Sequence, residues 1–259
     1  MKTVKIPPKH PRAESLRMRE VLKQGFEEGI VVEQGLMAHG RGEAFDYLLG
    51  EKTTPPASEA ITVSAAALLL AEKPVISVNG NVSMLTPREV VRLAEVVGAK
   101  IEVNLFHRSS DREIAVMSRL RSFGAGEVLG VGGKASAELH GLKSLRRWVD
   151  PDGMLVADTV LVPLEDGDRT AALRSMGKTV LTIDLNPLSR TAQTASVTIV
   201  DNVIRAMPLL VKEAERRRGE DTDSLGDVVK GFDNQVNLEK SISYIADRLM
   251  QISASRDDA

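Results

Sequence analysis

From about residue 58, short apolar runs rich in β-branched residues recur along the chain, with longer mixed stretches between them. The runs are Pro74–Val78, Lys100–Leu105, Glu127–Val131, Thr159–Leu164, Val180–Ile183 and Val197–Val200. Each is too short for a helix and reads as a strand. The stretches between carry helix signals. Ser58–Glu72 is rich in Ala and Leu and opens on Ser and Glu. Thr86-Pro87-Arg88-Glu89 reads as a capping box with Pro at the first helical position, opening a helix to about Val97 that Gly98 closes. Ser110-Asp111-Arg112-Glu113 reads as a second capping box, for a helix to about Ser122. Asp168–Met176 and Asn202 to about Arg217 complete the set. Strands alternating with helices predict an α/β fold, a Rossmann-like doubly wound and mostly parallel sheet with helices on both faces.

Two flanking segments break this alternation. Residues 1–57 read as a charged helical segment, with a helix over Ser15–Glu28 and a Gly-rich loop at Ala38–Glu43. Residues 218–259 form a polar tail with amphipathic helices near 224–232 and 238–252, and a disordered end over 254–259. With the core at 58–217, the three are expected to make one structural unit, its N-terminal part contributing to the functional site.

Composition removes whole classes of function. Thirty-four basic residues face 36 acidic ones, and aromatics are 3%. A chain this balanced has no global field for a polyanion and no base-stacking surface, which argues against nucleic acid and membrane as partners. Cysteine is absent, so a thiol nucleophile, a disulfide and a zinc–thiolate site are excluded. No run reaches the roughly 18–20 apolar residues of a membrane span. Met1–Lys5 leads into a Pro-rich polar stretch without an apolar region, unlike a signal peptide. A cytoplasmic protein is expected.

Ligands of open parallel sheets bind beyond the carboxyl ends of the strands. Here those ends carry Asn79-Gly80-Asn81, then Glu102 and Asn104 followed by His107-Arg108, then Glu165-Asp166-Gly167-Asp168, then Asp184-Leu185-Asn186 with Arg190-Thr191, and finally Asp201-Asn202. Helix caps explain some of these residues, but not a whole rim of amides, carboxylates and glycines. Arg41 sits between two glycines, which lets its backbone approach a ligand or simply turn. Glu165, Asp166 and Asp168 could bind a cation, take a proton from an ammonium or hold an amine. Neither Gly177-Lys178-Thr179 nor Gly133-Lys134 has the glycine spacing of a Walker A loop.

Several long strings add a resemblance: Gly35–Leu48 (GLMAHGRGEAFDYL), Val75–Val82 (VISVNGNV), Val162–Thr170 (VPLEDGDRT), Thr182–Ala192 (TIDLNPLSRTA) and Ile199–Asn202. Over roughly residues 5–210 the chain resembles the archaeal 4-phosphopantoate–β-alanine ligases, or phosphopantothenate synthetases. The resemblance implies an ATP-dependent, AMP-forming ligase of coenzyme A biosynthesis. It further implies a homodimer with a Rossmann-like core, working on 4-phosphopantoate, β-alanine and ATP with Mg²⁺. It places ATP contacts at Arg19, Arg41, Asp184, Leu185, Asn186, Arg190, Thr191, Asn202 and Val203. An acyl-adenylate route would use Arg19, Arg41 and Arg190 on the phosphoryl oxygens and one of Glu165, Asp166 and Asp168 on the amine, with Arg41, Arg190, Asp166 and Asp168 taken as the catalytic set. Asn79, Asn81, His107 and Arg108 would bind the acid substrate and donate to its 4-phosphate, and the metal ligands are open. The residues alone leave two rivals on the same rim, a non-catalytic nucleotide sensor and a small-molecule kinase.

Overall fold

The computed structural model describes residues 6–7, 9–10 and 12–257. Met1–Lys5, on which the signal-peptide reading rests, and residues 258–259 lie outside them. Three helices lead: α1 (Ala13–Glu27), α2 (Glu33–Leu49) and α3 (Pro55–Leu70). The core follows as β1 (Pro74–Val78), α4 (Gly80–Leu85), α5 (Pro87–Val97), β2 (Lys100–Val103), α6 (Ser110–Ser122) and β3 (Val128–Leu129). A small ribbon, β4 (Ala137–Glu138) and β5 (Trp148–Val149), precedes β6 (Thr159–Pro163), α7 (Gly167–Ser175), β7 (Thr179–Ile183), α8 (Arg190–Thr194) and β8 (Val197–Ile199). Helices α9 (Val203–Arg217), α10 (Thr222–Lys230) and α11 (Asn234–Asp257) close the chain. None of the described helices is long and apolar enough to cross a membrane.

The six main strands form one parallel sheet in the order β3-β2-β1-β6-β7-β8. It is the doubly wound α/β fold, with its switch in strand order between β1 and β6. The two-residue period of each strand divides the core. Ile76, Val78, Leu161, Leu181 and Ile183 face a layer that includes residues of α3, α5, α6 and α9. Val75, Val160, Val162 and Val180 face α7 and the connection before β6. In α3, Ala60, Ala65 and Ala66 are fully buried, and these small side chains let the helix seat closely on α9 and β8.

The connection from β3 to β6, residues 130–158, has no α-helix. Buried polar groups at the end of β2 hold it instead. Glu102 is fully buried, and its carboxylate accepts from the backbone N–H of Asp150 (3.0 Å) and of Met154 (2.6 Å). Asn104 donates to the carbonyls of Arg146 and Trp148, and Asp150 accepts from the N–H of Gly130. Glu102 and Asn104 therefore pin this segment rather than join the polar rim. Gly153 is obligatory here, since a Cβ would lie 2.2 Å from the Glu102 carboxylate.

Several helix starts differ from the sequence reading. Thr86 sends its hydroxyl back to the Val82 carbonyl and does not cap α5. Ser109, not Ser110, caps α6, which frees Glu113 for Arg108 and the Gly132 N–H. Asp166, not Asp168, caps α7 by accepting from the Arg169 N–H at 2.9 Å. The Gly-rich stretch at 38–43 is helical, inside α2, and α11 runs on through Asp257 where a disordered end was expected.

Burial pushes the Glu102 carboxyl up to about 7, against the two N–H groups and Arg169, which favour the anion. The folded protein thus holds a proton that the unfolded chain releases near pH 4.5, so the contribution of Glu102 to stability falls as pH rises from 4.5 to about 7. Glu102→Gln keeps one acceptor for two N–H groups and is expected to cost roughly 1–3 kcal/mol. Thermal denaturation across that pH window should show a lower and flatter profile for the variant.

Candidate functional site

At the switch point β1 and β6 diverge, and their ends are tied by one side chain. Asn79 accepts from the Val82 N–H (3.1 Å), capping α4, and donates to the carbonyls of Pro163 (3.3 Å) and Leu164 (3.1 Å). An amide is suited to this place because it donates and accepts at once. Leu164 has φ +54°, a left-handed conformation that a branched side chain rarely adopts. Such strain gathers at functional sites.

A cleft of about 690 Å³ opens above these ends. Helix α2 lies across it and contributes His39, Arg41 and Glu43. The ends of β7 and β8 contribute Asp184, Leu185, Asn186, Asn202 and Val203, α8 contributes Arg190 and Thr191, and the ends of β1 and β2 contribute Asn79, Asn81 and His107. Asp166 lines it from the cap of α7. Of the residues assigned to ATP, the amine or the acid, Arg19, Arg108 and Asp168 are outside its lining, as are Glu102, Asn104 and Asp201 of the expected rim.

Arg19, Arg108 and Asp168 are placed as follows. Arg19 lies behind the cleft, its guanidinium 2.6 Å from the Glu43 carboxylate. Burial works against the Glu43 anion, but Arg19 and Tyr47 outweigh it and hold its pKa below the ordinary value. Arg108 spends Nε on Glu113, Nη1 on the Trp148 carbonyl (2.9 Å) and Nη2 on the Gly130 carbonyl (2.5 Å). It is a strut between α6, the β3 end and the ribbon. Asp168 is exposed at the rim, 2.7 Å from Arg190.

Close approach of backbones builds the walls. A Cβ at Gly35 would lie 2.4 Å from Asn81 Oδ1, and Asn81 donates to the Gly35 carbonyl at 2.9 Å, so α2 and α4 meet there. A Cβ at Gly167 would lie 2.5 Å from Arg190 Cβ, where α7 and α8 start side by side. The far end of α2 is fixed by Asp46, which accepts from Arg205 (2.5 Å) and from Asn202 Nδ2 (2.8 Å). Asn202 thus caps α9 and anchors α2 together.

The floor is charged. Glu165 is an ion-pair partner of both Arg146 and Arg169, and Arg146 also meets Asp166 at 2.6 Å. Asp184 accepts from the Asn186 N–H (2.9 Å) and from Ser189 Oγ (2.5 Å), and burial pushes its carboxyl up against Ser189, Asn186 and Arg41, which favour the anion. His39 is held below the ordinary imidazole value, first by burial, and its Nε2 is buried with no partner among the described residues. Arg41 is exposed and has no ion-pair partner among them. Helices α7 and α9 begin at the cleft, adding positive N-termini to Arg41, Arg112, Arg146 and Arg190. The arrangement suits a large polyanion with a second charged group beside it.

Arg112, Arg146 and His39 are cleft residues that the sequence did not single out for binding, whereas Glu165, one of the three carboxylates it did, lines the cleft. Arg112 was legible only as part of a helix start. Arg146 lies in the aperiodic 130–158 connection and carried no signal.

Gly35→Ala places a methyl against Asn81 and is expected to cost roughly 1–3 kcal/mol of stability. Because the two positions share one contact, Gly35→Ala with Asn81→Ala should cost less than the sum of the two single changes, as chemical denaturation of all three variants would show.

The model of the phosphopantothenate/pantothenate synthetase family matches residues 56–248. The chain is 51% identical to a 4-phosphopantoate–β-alanine ligase of Methanosarcina mazei, covering 96% of this chain and 97% of that one. It is 47% identical to one of Thermococcus onnurineus, covering 96% and 95%, and 43% identical to one of Methanospirillum hungatei, covering 95% and 99%. With the family match and near end-to-end relatives in agreement, the chain belongs to the phosphopantothenate/pantothenate synthetase family.

Proposed function

We propose that this chain is an ATP-dependent ligase joining 4-phosphopantoate to β-alanine, giving 4′-phosphopantothenate, AMP and diphosphate for coenzyme A synthesis. The observation that carries the reading is 51% identity, over 96% of the chain, with a relative of that name. The cationic cleft at the switch point supports it.

A carboxylate does not acylate an amine at neutral pH without activation. In the first step an oxygen of the pantoate carboxylate attacks the α-phosphorus of ATP, the bond to the β-phosphate oxygen breaks, and diphosphate leaves. In the second, the β-alanine amine attacks the carbonyl carbon of the acyl-adenylate and AMP leaves with the electron pair of the C–O bond. Arg41 and Arg190 are assigned to the phosphoryl oxygens, where negative charge grows. Asp184, Leu185, Asn186, Thr191, Asn202 and Val203 are assigned to the nucleoside, with Arg19 acting through Glu43. Asn79, Asn81 and His107 are assigned to the acid.

The amine must lose a proton before it attacks. Asp166 lines the cleft and Asp168 stands at its rim, so this pair is assigned to the ammonium. No group of three His, Asp or Glu among the described residues is set to hold a metal. Mg²⁺ fits this donor set as an ion carried on the triphosphate, with one or two carboxylates at most. When bound it neutralises charge on the leaving diphosphate. The reading includes a homodimer, which exposed Val236, Ile242, Leu249 and Met250 on α11 support.

Product analysis tests the reading. AMP and 4′-phosphopantothenate should appear together, and only when ATP, 4-phosphopantoate and β-alanine are all present. ADP would indicate a kinase, and ATP binding without turnover a sensor. Arg41→Ala removes an exposed cation that has no ion-pair partner among the described residues, so the fold should be kept. The KM for ATP should rise roughly tenfold or more, the size of a lost charged hydrogen bond.

A further inference from the structure

We infer that His39 is a catalytic residue of the amide-forming step, its Nε2 taking the proton from the β-alanine nitrogen as that nitrogen attacks the acyl-adenylate. The inference rests on the ligase reading, whose carboxylate pair holds the ammonium, and adds the base.

His39 lines the cleft from α2, and its Nε2 is buried with no partner among the described residues. The carboxylates that line the same cleft are engaged. Glu43 accepts from Arg19 and Tyr47, and Glu165 is paired with Arg146 and Arg169. Asp166 accepts from Arg146 and from the Arg169 N–H, and Asp184 accepts from Ser189 and from the Asn186 N–H. A carboxylate held by donors is a weaker base, because those donors favour its anion. His107 also lines the cleft, but it is exposed. His39 therefore brings a base that is sheltered from water and has a ring nitrogen unspent.

The helix sets its place. Residues three and four apart share one face of a helix, and Gly35, His39, Gly42 and Glu43 follow that spacing in α2. One turn before His39, Gly35 meets Asn81, which is assigned to the acid. One turn after it, Gly42 approaches Leu185, which is assigned to the nucleoside. The imidazole thus stands between the two sets, where the carboxylate and the α-phosphorus must be joined and where the amine must arrive. Burial is the main influence on its charge and holds it below the ordinary imidazole value. Glu43 and Asp46 on its own helix favour the cation, and Arg19 on α1 opposes it. The ring is neutral at pH 7 and can accept a proton there.

The step balances. The bound ammonium sheds one proton to water and becomes the nucleophile. Its nitrogen bonds to the carbonyl carbon, the surplus proton passes to His39 Nε2, and the C–O bond to AMP breaks with its electron pair on AMP. His39 then returns the proton to water.

Two rates of the full chain separate the steps. Exchange of labelled diphosphate into ATP, with 4-phosphopantoate and no β-alanine, reads adenylation alone, whereas amide formation reads both steps. His39→Gln fills similar space but carries no proton at pH 7. It should lower amide formation roughly 10²–10⁴-fold and leave the exchange near the wild-type rate. Hydroxylamine, largely neutral at pH 7, needs no base, so both proteins should form the hydroxamate equally well. Exchange or hydroxamate formation that falls as far as amide formation, or amide formation that is unchanged, overturns the inference and leaves the ligase reading standing. Should His39→Gln fail to fold, His39→Ala takes its place, with added imidazole as the readout. Restored amide formation supports the inference, and no restoration overturns it. A wild type that shows neither exchange nor AMP formation with 4-phosphopantoate overturns the ligase reading instead.

Discussion

A carboxylate sealed from water must find donors inside the protein, and much of this structure follows from how Glu102 finds them. Its two oxygens take backbone N–H groups from the connection that crosses from one half of the sheet to the other. That connection has no α-helix, and the clamp adds to the packing of its buried Leu139, Val149 and Met154 against the sheet. Once clamped, the connection delivers Arg146 to the cleft. There Arg146 meets Glu165, Glu165 meets Arg169, and Arg169 Nη1 donates to Ser77 Oγ under the sheet at 3.0 Å. Removing one member of such a chain strands a buried charge, so its members act as a unit.

The cleft inherits a division from the topology. Strands β1, β2 and β3 lie on one side of the switch point, and β6, β7 and β8 on the other. Each half ends in its own cations, and α2 spans both through Asn81 at one end and Asp46 at the other. In the reading proposed above, ATP and the acid share this cleft, and holding both in register converts a two-substrate reaction into a local one.

The strands were legible because buried parallel strands are short, apolar and β-branched, and all six appear within a few residues of the runs that predict them. Their order was not, because it depends on where each crossover lands. The Gly40-Arg41-Gly42 stretch reads as a loop, since each interior glycine costs a helix about 1 kcal/mol. Tertiary contacts override that cost: Asp46 is locked to Arg205 and Asn202, and Gly50 at φ +88° terminates the helix. Two glycines of the helix lie at packing contacts, Gly35 on Asn81 and Gly42 near Leu185, while Gly40 faces open space. Polar strand ends mislead in one respect. An Asn or Glu after a strand looks the same whether it ties two strand ends beside the cleft, as Asn79 does, or holds a buried backbone away from it, as Asn104 and Glu102 do. Arg108 and Arg112 exchange expected places for a similar reason: four positions along the chain decide between strut and cleft wall, and only the cap at Ser109 fixes the rotation.

The central claim is that this cleft directs a carboxylate onto the α-phosphorus of ATP. Turnover of 4-phosphopantoate carrying ¹⁸O in its carboxylate, with mass analysis of the nucleotide product, tests it most directly. The account predicts one labelled oxygen transferred into AMP. Label in ADP-accompanied orthophosphate, or AMP free of label, would contradict it.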